Sequence, residues 1–316
     1  MRVLIALGGN AMTGPDGSAT VAAQQEAIGR AMEHVADLVA YGVDVVLTHG
    51  NGPQVGNLLV KNELAAPVVP PVPLDWCDAQ TQATIGYMIL NALDAALAAR
   101  GVDRRAAVLV TRTRVDADDP AFAEPTKPIG RHLPQEEAEL MIAHGQAWKD
   151  MGARGWRRVV ASPEPREIVD APAVARLVRD GFIVVAAGGG GIPVVRGRDG
   201  RLRGVEAVVD KDLSAALLAR QVHADLLVIA TDVEHVYVDH GTPRARPLGR
   251  VTAQELRKHV DQGQFPAGSM GPKVEAALRF VETGGRRAVI TALDRIEQAV
   301  TGAGGEPVGT VVENRA

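Results

Sequence analysis

Short runs of consecutive apolar residues, rich in Val, Ile and Leu, recur along the chain and are separated by longer stretches whose apolar positions fall three and four apart. The short runs predict strands at 2–7 (RVLIAL), 43–48 (VDVVLT), 106–111 (AAVLVT), 157–162 (RRVVAS), 182–187 (FIVVAA), 226–231 (LLVIAT), 287–291 (RAVIT) and 309–313 (GTVVE). They are nearly continuous in apolar character rather than alternating, so they belong in a sheet covered on both faces. The longer stretches, 22–40, 78–100, 213–222 and 273–282, have the period of amphipathic helices. Strands and helices in alternation make the chain an α/β protein, a layered sandwich with a mainly parallel sheet.

Composition narrows the choice of function. With 316 residues, 46% of them hydrophobic, the chain can bury a large core, at a length where single cores begin to divide into lobes. A formal net charge of -4, with its positive charges scattered, provides no long-range attraction to polyanions and argues against a nucleic-acid partner. No apolar stretch approaches the roughly 18 residues needed to span a bilayer, and VLIAL is too short for a signal-peptide core, so the expectation is a cytoplasmic protein without a membrane partner. Cys77 is the only cysteine, which rules out an intrachain disulfide and a multi-cysteine metal site; it is read as a small buried apolar residue in preference to a reactive thiol.

In a parallel sheet, ligands bind beyond the carboxyl ends of the strands, and the residues found there are unusual. GGN (8–10) follows the first strand, HGNG (49–52) the second, GGGG (188–191) the fifth and TDV (231–233) the sixth. One glycine loop is as readily a tight turn as a ligand site. Three at one edge favour a phosphate site, because successive backbone N–H groups form anion-binding nests. Neither GGNAMTG nor GGGGIPV has the G-x-G-x-x-G spacing of a dinucleotide fold, and no stretch fits the Walker A loop. Any nucleotide is therefore held by a different architecture.

Three lysines extend this picture. Lys211, between Asp210 and Asp212, and Lys273, after Pro272 at the expected first helical position, both stand where helices begin. A cation is disfavoured there by about 0.3–1 kcal/mol, a cost that a bound anion reverses. For either lysine alone, solvation or pairing with a flanking Asp is the simpler account; two beside glycine loops favour phosphate. Lys127 lies in DADDPAFAEPTKPIGRHLP (116–134), whose prolines preclude regular helix across most of its length, and the segment is long for a passive connection. Asp212 is placed to orient Lys211 and Lys273, while Mg²⁺ is expected to be held largely by nucleotide phosphates, with few protein ligands. The eight histidines form no zinc-binding spacing.

Taken together, ALGGNA, THGNGPQVGNL, AQTQATIGY, PTKPIG, GGGGIPV, VEAVVDKDLSAALLA, ATDVEHVYV and PAGSMGPKVEAALRF resemble the carbamate kinases of the amino-acid kinase superfamily, in order and over nearly the whole chain. The resemblance implies an open three-layer αβα sandwich with a protruding lid, usually a homodimer, that transfers phosphate between ATP and carbamate, or between carbamoyl phosphate and ADP, with Mg²⁺. It implies a single domain over 1–316. Within it, lobe 1–205 serves carbamate and the phosphoryl group and carries a lid at about 112–160, and lobe 206–316 serves the nucleotide. Gly8, Gly9, Asn10, Gly50, Asn51 and Gly52 would meet the phosphoryl group and carbamate, and Lys211 and Lys273 the nucleotide phosphates and the transferring group, with Asp212 orienting both lysines. Lys127 would close over the substrate. Asp232, Tyr237 and Met270 would border the nucleoside by the same resemblance, although Tyr237 is equally readable as a strand-end core residue.

Related acetylglutamate kinases carry a lysine where this chain has Ala6, and carbamate kinases resemble this sequence in having alanine there. Two positions depart from the family pattern: Ala83 stands where glycine is usual, and Arg131-His132-Leu133 where an aromatic pair is usual. Carbamate already carries an anionic oxygen, so the transfer needs charge stabilisation and alignment more than a base. A kinase of the same fold for another small acid, such as acetylglutamate, and a nucleotide-binding regulator without catalysis are the alternatives.

Overall fold

The computed structural model describes residues 1–14, 17–266, 268–302 and 308–314, with the side chain of Asn10 outside that description. Its strands are β1 (Arg2–Leu7), β2 (Asp44–His49), β3 (Ala106–Val108), β4 (Arg112–Arg114), β5 (Lys127–Leu133), β6 (Trp148–Asp150), β7 (Trp156–Val160), β8 (Glu167–Ile168) and β9 (Ile183–Val185). They continue with β10 (Ile192–Arg196), β11 (Leu202–Gly204), β12 (Leu226–Thr231), β13 (Val236–Val238), β14 (Arg246–Leu248), β15 (Arg250–Thr252), β16 (Arg287–Ala292) and β17 (Thr310–Glu313). The helices are α1 (Val21–Ala40), α2 (Gly52–Ala65), α3 (Leu74–Ala99), α4 (Gln135–Ala143), α5 (Ala171–Arg179), α6 (Lys211–Gln221), α7 (Ala253–Asp261), α8 (Met270–Glu282) and α9 (Ile296–Thr301).

Eight strands form the central sheet in the order β15-β17-β16-β12-β1-β2-β9-β3. All neighbours are parallel except β16 and β17. β1 illustrates why both faces are apolar. Val3, Ile5 and Leu7 pack into a core with α1, α3 and α9, while Leu4 and Ala6 point into a second core with α5, α6, α7 and α8. A side-chain period of two on a sheet buried on both sides leaves no polar position, hence RVLIAL. α1 starts where the Thr20 hydroxyl accepts the Ala23 N–H, and the chain turns out of it at Gly42, φ +78°.

Two expected strands lie elsewhere. The run at 157–162 forms β7, not in the central sheet but in an antiparallel sheet β5-β7-β6, because Arg157 and Arg158 cannot be covered on both faces. The run at 106–111 leaves the central sheet after Val108: the Leu109 N–H still reaches the Val185 carbonyl, but the Gln82 side chain takes the Thr111 N–H, and the chain turns into β4. There β4 joins a second sheet, β11-β10-β4-β8. The lid sheet therefore begins at Lys127 rather than near 112, with a small core of Leu133, Ala138 and Trp148. α8 starts at Met270, which makes Pro272 its third residue rather than its first. α2, absent from the periodicity reading, buries only Val55 and Leu59 of its own length, too narrow a stripe to stand out.

The lid sits on α2. Ile129 and Val160 of the lid share an apolar cluster with Val55, Leu59 and Cys77, and Arg131 reaches Glu63 at 3.1 Å. Cys77 is wholly buried, and burial raises its thiol pKa, as befits a packing residue. α3 meets β3 so closely at Gly86 that a Cβ there would lie 2.5 Å from a Val108 methyl. Gly86→Ala should destabilise the protein by about 1–3 kcal/mol in denaturant unfolding, and adding Val108→Ala should recover part of that loss.

Candidate active site

The carboxyl ends of β1, β2, β9 and β12 open onto one cavity of about 1090 Å³. Gly8 and Gly9 follow β1, Gly50 to Gly52 follow β2, Gly189 follows β9, and Thr231 and Asp232 close β12. Across from them stand Lys211 and Asp212 at the start of α6 and Lys273 in the first turns of α8, and Lys127 of the lid borders the same space.

Asp212 joins the two helices electrically. Lys211 Nζ donates to its Oδ1 at 2.6 Å and Lys273 Nζ to its Oδ2 at 3.0 Å. The carboxylate side chain is 6% exposed, and the two lysine side chains 13% and 16%. Burial alone would raise this carboxyl, but the charges of Lys211 and Lys273, and their hydrogen bonds, prevail and hold it at about 2. It is a carboxylate at neutral pH and draws the starts of α6 and α8 together. Asp210 does the same for the lid: its Oδ1 caps α6 by accepting the N–H groups of Asp212 and Leu213, and its Oδ2 takes Lys127 Nζ at 3.2 Å. Lys211 thus pairs with one flanking Asp, and Lys127 with the other.

Two helices start at the edge of this space. α2 begins at Gly52 with no side-chain cap from Asn51, whose amide is engaged elsewhere, and α8 begins beside Ser269, also without a side-chain cap. Helix N-termini, and lysines drawn together by an ionised carboxylate, make a site for a polyanion.

The glycines divide into two kinds. A Cβ at Gly8 would meet the Ala230 carbonyl at 2.7 Å, so this glycine lets β1 lie against β12, whereas Gly9 and Gly52 have nothing within 4 Å. In the GGGG loop only Gly189 borders the cavity; Gly188 is pressed against the His49 ring and Gly190 against the Val209 carbonyl. Most of that cluster answers to packing between elements rather than to a ligand.

Of the residues singled out in the sequence, Lys127, Lys211, Asp212, Lys273, Gly8, Gly9, Gly50, Asn51, Gly52 and Asp232 all border the cavity. Asn10 lies in the single 3-10 turn Gly9–Ala11, with its side chain outside the described set. Tyr237 and Met270 are off the cavity wall: Tyr237 sits in β13, edge-on to His240 at 6.2 Å, and Met270 packs on the core. Asp232 is exposed and accepts the Thr231 hydroxyl. Ala6 is buried in the core, so that position supplies no charge. Ala83 lies on the exposed side of α3 with Trp76 and Tyr87, where no helix contact depends on it, and Leu133 fills the lid core. The sequence reading passed over Asp78, Thr81 and Gln82, buried polar residues on α3; three such residues within five positions of an otherwise apolar helix face was the available signal.

Comparison with known proteins agrees with this geometry. The Amino acid kinase family profile matches residues 1–292. The chain belongs to that family. A carbamate kinase of Thermococcus kodakarensis is 48% identical over 313 residues, covering 97% of this chain and 98% of the relative. A carbamate kinase-like protein of Escherichia coli is 45% identical over 305 residues, covering 95% and 96%. Among solved structures, the carbamate kinase of Giardia lamblia bound to AMP-PNP superposes with a TM-score of 0.93 at 38% identity, covering 99% of this chain and 98% of that one.

His49, at the end of β2, serves the structure rather than the cavity. Its ring is wholly buried behind Gly50, its Nδ1–H donates to the Gly50 carbonyl at 2.9 Å, and its pKa is lowered to about 4, by burial first and by the charge of Lys211 further, against that hydrogen bond. An unfolded histidine takes its proton near 6.5, so this one contributes full stability above about pH 6.5 and loses it as pH falls toward 4. Between pH 7 and 4.5, unfolding free energy should fall by about 2–3 kcal/mol more in the wild type than in His49→Gln, read by denaturant titration at both pH values.

Proposed function

We propose that this protein transfers a phosphoryl group between ATP and carbamate. The observation that carries the reading is the pair of lysines bridged by one buried carboxylate, facing glycine loops at the sheet edge, with a third lysine brought in by the lid. In the forward reaction a carbamate oxygen attacks the γ-phosphorus and forms the new P–O bond. The bond to the β-phosphate bridging oxygen breaks, and its electron pair leaves with ADP. No proton moves, so the site needs no base, and the lysines and helix N-termini spread the charge of the transferring oxygens.

Lys211 and Lys273 hold the nucleotide phosphates and the moving group. Gly9, Gly50 and Gly52 let backbone N–H groups approach the acid and the phosphoryl group, and Lys127 closes over them. Asp232 borders the nucleoside side. Mg²⁺ enters as part of the nucleotide substrate: Asp210 and Asp212 are already committed to lysines, and no cluster of three metal-ligating side chains exists among the described residues.

An acyl phosphate is a stronger phosphoryl donor than ATP, so the reading favours ATP synthesis from carbamoyl phosphate, in the cytoplasm. A homodimer is part of the same reading. The exposed row of Trp76, Ala83 and Tyr87 on α3, with Leu64 near the end of α2 and Val68 just past it, is the surface a second copy would cover.

The test is to supply carbamoyl phosphate, acetyl phosphate or acetylglutamyl phosphate with MgADP and measure ATP; ATP from either of the others but not from carbamoyl phosphate rejects the reading. Lys211→Ala should lower kcat by about 10²–10³-fold, and with one of the two cations on buried Asp212 gone, thermal stability should fall as well. Lys127→Ala should lower kcat while leaving MgADP affinity within a few fold, because it removes a contact made to the transferring group and not to the bound nucleotide. Strong loss of MgADP binding with turnover spared would assign the lid to the nucleotide instead.

A further inference from the structure

Helix α3 turns a row of buried polar side chains toward the glycine loops, and none of them belongs to the lysine cluster. Gln82 is a clamp: its amide nitrogen donates to the Thr111 and Gly188 carbonyls at 3.1 and 3.0 Å, and its oxygen accepts the Thr111 N–H at 2.9 Å. Asp78 and Thr81 act on Asn51. The Asn51 Nδ2 donates to Asp78 Oδ1 at 3.0 Å and to Thr81 Oγ1 at 2.9 Å.

The orientation of the Asn51 amide follows from donor bookkeeping. The single proton of the Thr81 hydroxyl goes to the Asp78 backbone carbonyl at 2.8 Å, so Oγ1 can only accept, and what faces it must be the amide nitrogen. Both Nδ2 hydrogens are then used on α3. Gly189 packs against the amide so tightly that a Cβ there would lie 2.2 Å from Nδ2, which keeps the group in place. Oδ1 is the one polar atom of the side chain with no bond among the described residues, it is not among the sealed-off buried atoms, and its residue lines the cavity between Gly50 and Gly52.

We propose that Asp78 and Thr81 are positioning residues that present Asn51 Oδ1 to the cavity as a hydrogen-bond acceptor, and that this acceptor reads the amino group of carbamate and carbamoyl phosphate. The proposal rests on the carbamate reading above. Carbamate carries an NH₂ where acetate carries a methyl group of similar size. Against acetate the acceptor is left unpaired in a largely desolvated place, which is how a site built for an N–H rejects an isostere lacking it.

The state of Asp78 suits this role. It is 2% exposed and has no cation beside it; burial raises its carboxyl well above the ordinary range, against the hydrogen bond from Asn51, and Asp75 and Glu206 push in the same direction as burial. Burial therefore disfavours a negative charge behind the place where an anionic substrate binds, while Oδ1 still orients Asn51.

The experiment uses the full-length protein with saturating MgADP and compares kcat and KM for carbamoyl phosphate and acetyl phosphate. Asp78→Ala and Thr81→Val should each cut the preference for carbamoyl over acetyl phosphate in kcat/KM by about tenfold or more, while KM for MgADP stays within about twofold. Asp78→Asn, neutral and of the same shape, should restore most of the preference, and so should Thr81→Ser, which keeps the hydroxyl. An unchanged preference in Asp78→Ala and Thr81→Val overturns the positioning role, and so does an Asp78→Asn variant as impaired as Asp78→Ala. If Asp78→Ala does not fold, the Thr81→Val and Thr81→Ser pair decides alone. A wild type that makes no ATP from carbamoyl phosphate overturns the carbamate reading itself, a failure seen without any variant and so distinct from the first.

Discussion

Two ammonium groups held on opposite oxygens of one buried carboxylate are the constraint on which the site depends. Lys211 and Lys273 come from different helices, and without Asp212 between them each would repel the other in a partly desolvated cleft. Asp212 stays ionised because the lysines hold it so, and the lysines stay close because it does. The pair Lys127 and Asp210 repeats the arrangement at the lid. Three lysines against two aspartates leave one positive charge, to which the positive ends of the α2 and α8 dipoles add. A phosphate entering the cavity meets charge that is already placed, so little has to reorganise when the phosphoryl group moves.

The lid is a small fold of its own clipped onto the body, not a long loop. Its three antiparallel strands and one helix close over a few apolar side chains, and its attachment to α2 through Ile129, Val160 and the Arg131–Glu63 pair fixes where Lys127 arrives. α2 therefore serves twice: its N-terminus faces the cavity and its flank carries the lid. Arg131-His132-Leu133 supplies one contact to each side of that junction, since Arg131 reaches α2 and Leu133 fills the lid core.

Behind the visible site lies a layer that makes the loops usable. His49 under Gly188, Gln82 across Thr111 and Gly188, and Asp78 with Thr81 under Asn51 are all buried and bonded to backbone or to one another, with Asp78 Oδ2 the one oxygen of the set left without a partner among the described residues. Such groups give a glycine-rich edge the stiffness that glycine itself lacks. Gly8, Gly188 and Gly190 belong to this layer more than to the ligand, because a side chain at any of them would strike a neighbouring strand, ring or carbonyl.

By itself the sequence determined the sandwich, the helices of strong period and the lysines. Consecutive apolar residues in RVLIAL or LLVIAT have no stable place but a sheet covered on both faces, and a lysine at a helix N-terminus beside glycine loops is unusual enough to be read from the chain alone. It could not determine that RRVVAS leaves the central sheet, that a helix with only two buried residues follows Asn51, or that Tyr237 and Met270 stand off the cavity. Nor could it separate the glycines that meet a ligand from those that meet a neighbouring strand, or join Asn51 to Asp78 and Thr81, 27 and 30 positions away. Those outcomes depend on which surfaces come together after folding. Period and composition report the environment of one residue at a time, whereas contact between distant segments is decided only by tertiary packing.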